Sequence, residues 1–403
     1  MIRILNRREL FSLLGRHWRL ALAASAAVTL ALKPRLVQIG AFVIAAGLGR
    51  IRNSHAPPYP GNMASKWGQL ARVPIGSRTL TPSRSVITYH PWYQGFDVVS
   101  VSRCLEEAAR LGVGYIRTDV RWRDILPDRE SVNKDAISWY RNYFTKARES
   151  YGLRPLVVLA NPPSNVTTLD ETSRLFLWTK YVEQVAVNFS DLCDLYQVLN
   201  EPTNPAYEVF SRKRLGQAVS SAAKLIHAQV PGARVAINIL VGLWGWKSRA
   251  EQLLVECSDS VDMIGLDYFP GTWTLSSSSD WRAVMNLFEE FVRSEPGSPY
   301  YGRKLAILET GYATNIQGLR NEHQQSKYFQ VAEKVFQQLS ARFGHESMAL
   351  VGFYELCDSN SSAFLDPEAH FGLLTSGSLD RKLAFVDVQR ICRSLRIADA
   401  GLR

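Results

Sequence analysis

The chain has 403 residues, 46% hydrophobic and 11% aromatic, which is enough apolar surface for a large core, and its formal net charge is +10. That charge is unevenly placed: residues 1–84 hold thirteen Lys and Arg against one acid, Glu9, while the remaining 34 basic and 36 acidic residues nearly cancel. A nucleic-acid footprint belongs on the folded domain itself, so nucleic acid is excluded as the expected partner.

Residues 1–51 read as a basic signal or membrane-anchor segment. Five arginines fall within residues 1–19, followed by two apolar stretches, Leu20–Leu32 and Leu36–Gly49, broken by Lys33-Pro34-Arg35. Each stretch is shorter than the ~20 residues a spanning helix needs. A basic start before a short apolar run is the grammar of an export signal. Asn6-Arg-Arg-Glu-Leu-Phe11 has the form of a loose twin-arginine motif. The expectation is an exported protein, periplasmic or extracellular, with this segment either cleaved or kept as a membrane tether. Residues 52–84, rich in Pro, Gly, Ser and Arg, read as a linker.

From Ser85 onward, short β-branched runs alternate with amphipathic helical patterns. The predicted strands are Val86–His90, Gly114–Val120, Pro155–Ala160, Leu195–Leu199, Arg234–Ile239, Val261–Leu266, Lys304–Leu308 and Ala349–Tyr354. Helical periodicity covers Val101–Leu111, then 135–150, 172–189, 208–229, 247–257, 280–294, 321–342 and 380–395. Eight strand-helix units predict an α/β fold closed as a (β/α)8 TIM barrel, one domain over residues 85–403. An open doubly wound sheet is the alternative, but no glycine-rich phosphate loop follows any strand. Five scattered cysteines without a CxxC pair signal neither a zinc site nor a disulfide scaffold, and no multi-histidine metal pattern occurs. No cofactor is expected.

In such a barrel, chemistry gathers where strand C-termini meet the following loops. Those positions hold His90, Arg117, Asp119, Asn161, Asn200, Glu201, Asn238, Asp267, Tyr268, Glu309, Tyr354 and Glu355. In Leu195-Tyr-Gln-Val-Leu-Asn-Glu-Pro202, Pro202 ends strand pairing and leaves Glu201 at the mouth. Glu309 takes the equivalent place in Leu305-Ala-Ile-Leu-Glu-Thr-Gly311. Strands four and seven lie across a small barrel, so both carboxyls converge on one cleft. Two carboxyls flanking a glycosidic bond suit hydrolysis: one protonates the leaving oxygen, and the other attacks the anomeric carbon or activates water. Tryptophans 244 and 246 flank Gly245 in one predicted loop and offer faces for sugar rings.

Over most of residues 85–395 this sequence resembles the clan A glycoside hydrolases, the retaining barrel enzymes whose catalytic glutamates follow strands four and seven. The resemblance implies Glu201 as acid/base, Asn200 as contact for the sugar 2-hydroxyl and Glu309 as nucleophile. It matches the strand-two arginine to Arg117 and the strand-six tyrosine to Tyr268, both donating to Glu309. The chain departs from the family where a strand-eight tryptophan is usual: Phe353 stands nearest, followed by Tyr354. Asn161 and Asn238 stand near the positions of family 5 histidines, which places the pattern closer to family 39. The implied substrate is an oligo- or polysaccharide, with exopolysaccharide processing as an analogy. A transglycosidase and a catalytically silent carbohydrate-binding barrel are the alternatives.

Overall fold

The computed structural model describes residues 57–69, 83–129, 131–243, 245–257, 260–274, 276–315, 320–360 and 366–400. Eight parallel strands close into a barrel in chain order. They are β1 (Ser85–Thr88), β2 (Tyr115–Asp119), β3 (Arg154–Leu159), β4 (Leu195–Val198), β5 (Arg234–Leu240), β6 (Met263–Tyr268), β7 (Lys304–Thr310) and β8 (Met348–Phe353). The outer ring comprises α1 (Val98–Leu111), α2 (Lys134–Tyr151), α3 (Glu171–Phe189), α4 (Arg212–Gln229), α5 (Trp246–Glu256), α6 (Arg282–Val292), α7 (Glu322–Phe343) and α8 (Ala384–Ala400). Two short helices that periodicity did not announce, Trp122–Ile125 and Ser164–Thr167, sit in the loops after β2 and β3.

Strand alternation sorts the side chains into two cores. One set (Val86, Tyr115, Leu156, Leu195, Met263 and Leu350 among them) fills the barrel axis. The intervening residues, such as Ile116, Val157, Tyr196 and Ile264, meet the helices in a much larger cluster. Each strand is buried on both faces, which is why it reads as a nearly continuous apolar run. Asp97, Asn133, Asp170 and Asn321 cap α1, α2, α3 and α7 by accepting backbone N–H bonds, each worth about 1 kcal/mol.

The signal or anchor segment 1–51 lies outside the described residues. Among the described residues, no helix is long and apolar enough to cross a membrane. Within the stretch expected as linker, residues 57–69 pack on the barrel. Tyr59 donates to Asp135 at 2.7 Å, and Trp67 sits edge-on to Trp139, with ring centroids 5.5 Å apart. The anchoring partner in both contacts is α2.

Candidate active site

The chain turns sharply after β4. Leu199 and Glu201 both adopt left-handed backbone, with φ of 62° and 43°. Such conformations cost of order 1–3 kcal/mol each in non-glycine residues and persist only where the surroundings enforce them. Here the enforcement is visible: the Glu201 backbone N–H donates to Asn238 Oδ1 at 2.7 Å. The Glu201 carboxyl is buried, and its Oε2 accepts from Asn204 Nδ2 at 2.6 Å.

Glu309 reaches the same mouth by a different device. On β7, Ala306 and Leu308 face the barrel axis, so strict alternation would turn Glu309 outward. The ladder to β6 skips one residue, however, pairing Leu266 with Ile307 and Asp267 with Glu309. Leu308 is thus the extra residue of a β-bulge, which re-aims the next side chain inward. Two glycines make room for it. A Cβ on Gly265 would collide with the Leu308 side chain, and one on Gly352 with its carbonyl oxygen.

Arg117, fully buried on β2, ties these pieces together. Its Nη2 contacts Glu309 Oε1 at 2.6 Å and donates to Asn200 Oδ1 at 2.9 Å. Its Nε donates to Gln197 and its Nη1 to Thr88. Asn200 Oδ1 also accepts from Asn238 Nδ2 at 2.9 Å and Gln197 Nε2 at 3.3 Å. Three donors on one oxygen fix the amide's orientation and turn Asn200 Nδ2 away from Arg117 as a donor for a bound hydroxyl.

Burial, reinforced by the Glu309 charge, pushes Glu201 up to about 8. Burial also pushes Glu309 up to about 7, while the Arg117 cation pulls it back. Arg117 contacts Glu309, so Glu309 ionises first and its charge then holds the proton on Glu201. These surroundings favour giving up the Glu309 proton before that of Glu201.

Several expectations need correction. Tyr268 does not donate to Glu309: its ring belongs to the outer core, and its hydroxyl donates to the carbonyl of Asp280. Phe353 also points outward, edge-on to Phe329 of α7, instead of lining the cleft. Both errors are errors of strand parity. On β6, Met263 faces the axis, and the same face carries Gly265 and Asp267; on β8, Leu350 faces the axis, and its face carries Gly352 and Tyr354. Tyr354 is accordingly the mouth aromatic, edge-on to His90, Phe269 and Phe371. Its hydroxyl donates to Glu368 Oε2 at 3.0 Å, and Trp273 Nε1 donates to Glu368 Oε1 at 2.9 Å.

His90 is buried against Trp92, with its Nε2 3.7 Å from Glu355 Oε2. Asn161 donates to Asp119 Oδ2 at 2.7 Å. Trp246 is the first residue of α5 and packs on the outer core, while Trp244 lies outside the described residues. Gln197, Asn204 and Glu368 are site residues that motif reading passed over. Gln197 carries a legible signal, a lone amide inside the apolar run of β4. Asp267, expected at the end of β6, shares its inward parity with Met263. Among the described residues, no group of three or more His, Cys, Asp and Glu is arranged to hold a metal ion.

No family model matches the chain. A curated relative, β-glucosidase A of Enterobacter agglomerans, is 32% identical over 112 residues, which span 26% of this chain and 23% of that enzyme. Among solved structures, the family 1 β-glucosidase of Thermotoga maritima superposes with a TM-score of 0.60 at 12% identity, covering 78% of this chain and 98% of that one. The exo-β-1,4-mannosidase Op5Man5 of an Opitutaceae bacterium, strain TAV5, gives 0.61 at 12% identity, over 79% and 60% of the two chains. A further β-glucosidase, 1317, gives 0.58 at 15% identity, over 73% and 88%. The fold is therefore the one these glycosidase structures have, a closed barrel of eight parallel strands ringed by helices.

Proposed function

We propose that this protein is a retaining β-glycosidase that cleaves O-glycosidic bonds of an oligo- or polysaccharide by double displacement. The observation that carries this reading is the pair of buried carboxyls after β4 and β7, with Arg117 in contact with Glu309. Glu309 attacks the anomeric carbon while Glu201 gives its proton to the departing oxygen, leaving a glycosyl ester on Glu309. Glu201, now a base, takes a proton from water; the water oxygen bonds to the anomeric carbon and releases Glu309. Asn200 Nδ2 offers a hydrogen bond to the neighbouring sugar hydroxyl. Tyr354 and Trp273, braced by Glu368, supply an aromatic wall beside the cleft.

The enzyme reading is tested with a panel of activated aryl β-glycosides and their 2-deoxy-2-fluoro analogues, followed by peptide mass mapping. A covalent sugar adduct on the peptide containing Glu309, absent in Glu309→Gln, is the expected result. Absence of both turnover and adduct across the panel would sink the proposal. Product analysis distinguishes hydrolysis from transfer to a second sugar. We read residues 1–51 as the element that exports or tethers the enzyme, in keeping with a polysaccharide substrate outside the cytoplasm. Recovery of the full chain only in the cytosolic fraction would refute that part.

A further inference from the structure

Asp267 is a third carboxyl in the mouth, and the double displacement gives it no step. It is fully buried, pairs in register with Glu309 across the β6–β7 ladder and shares its inward face. Adjacent strands lie about 4.8 Å apart, so same-face side chains in register are within reach of each other. The two oxygens of Asp267 have different surroundings. Oδ2 accepts from Asn238 Nδ2, whereas Oδ1 is buried without any hydrogen-bond partner. Glu309 uses Oε1 on Arg117, which leaves Oε2 for a second donor. The Tyr268 hydroxyl is committed to Asp280 and cannot be that donor.

We propose that Asp267 is a neutral carboxylic acid whose Oδ1–H donates to Glu309, making it a positioning residue that aims the nucleophile. This inference rests on the reading of Glu309 as nucleophile. An acid with Oδ2 accepting and Oδ1 donating satisfies both atoms, whereas a carboxylate would leave a bare buried oxygen beside other negative charge. The charge count agrees. Glu201 from the β4 end, Glu309 from β7 and Asp267 from β6 all lie in the field of Arg117 of β2, which Asp119 shares, so one guanidinium does not neutralise them all. Burial first, and then the charges of Glu309 and Glu201, push Asp267 well above the usual carboxylate range, against the pull of Arg117 and Asn238. The same Asn238 amide accepts the Glu201 backbone N–H, so Asp267 also steadies the acid/base through one intermediary.

Asparagine reproduces a neutral acid, with its oxygen accepting from Asn238 and its NH2 donating to Glu309; leucine reproduces neither. Asp267→Leu should lower kcat roughly 100-fold with little change in KM, the usual scale for losing one aimed donor. Asp267→Asn should recover most of that loss and leave the basic limb of the pH profile in place. Asparagine as damaging as leucine, or a basic limb displaced downward, overturns the proposal, since removing a true anion would ease ionisation of Glu201. Infrared spectroscopy gives a second arm, independent of turnover and of whether the leucine variant folds. The difference spectrum of Glu201→Gln minus Glu201→Gln/Asp267→Asn at neutral pH should show the C=O stretch of a protonated carboxyl. A spectrum showing only carboxylate bands overturns the assignment. Failure of the wild type on every glycoside would instead remove the nucleophile reading while the infrared result still decides the state of Asp267.

Discussion

Two buried ion pairs on this barrel have the same charges and similar burial, yet opposite surroundings. Lys382 and Asp358, at 2.7 Å, form a saturated pair. Lys382 also donates to Thr314 and to the His370 carbonyl, and Asp358 accepts from the Gly372 N–H. Arg117 and Glu309, at 2.6 Å, are crowded instead by the further carboxyls Glu201 and Asp267. A buried pair is weak support for stability in itself, because desolvation offsets much of the attraction. Saturation marks the Lys382 pair as a clasp between the loop after β8 and the start of α8. Crowding by further carboxyls marks the Arg117 pair as a place where charge is meant to change.

The largest effect that breaks this contrast is on turnover. Glu309→Gln should lower kcat about 10⁵-fold while leaving the thermal midpoint close to wild type. Activity near wild type would make the Arg117 pair another clasp. Next, Lys382→Met strands a buried carboxylate and should cost roughly 3–5 kcal/mol in denaturant-monitored stability, with kcat within about twofold. A variant that loses turnover instead of stability would reverse the two assignments. Arg117→Met should reduce kcat roughly 100-fold; with the cation gone Glu309 holds its proton to higher pH, so the acid limb moves upward.

The profile itself sharpens the comparison. The wild-type kcat/KM should be bell-shaped, rising as Glu309 ionises near about 7 and falling as Glu201 ionises near about 8. Glu201→Gln should abolish the falling limb in a leaving-group series that no longer needs protonation. Smallest of all, Tyr268→Phe should change kcat by no more than about threefold, since its hydroxyl serves Asp280. A loss comparable to Arg117→Met would return that tyrosine to the mouth.

The architecture was legible because each strand buries both faces and each helix carries a 3.6-residue stripe, so element type follows from local pattern. Glu201 was legible because Pro202 marks where pairing stops. The misplaced residues share one cause: Tyr268 and Phe353 were matched to the family's strand-six tyrosine and strand-eight tryptophan, at strand ends where one step along the chain reverses the face. Counting alternate residues from Met263 or Leu350 selects Asp267 and Tyr354. The same counting fails on β7, because a bulge depends on contacts with β6 and β8 that no local pattern carries. Glu368 acts through Tyr354 and Trp273, partners distant in the chain, so only the closed barrel reveals it.

The bulge at Leu308 has a consequence for how this site can vary. Gly265 and Gly352 act on Glu309 without touching it, by the atoms they lack. A single methyl at either place would collide with Leu308, so the bulge beside the nucleophile must shift. Gly352→Ala should therefore lower kcat with every mouth residue still present in the sequence. The reach of the nucleophile is written into two empty volumes, and a search for site residues by chemical type alone would pass over both.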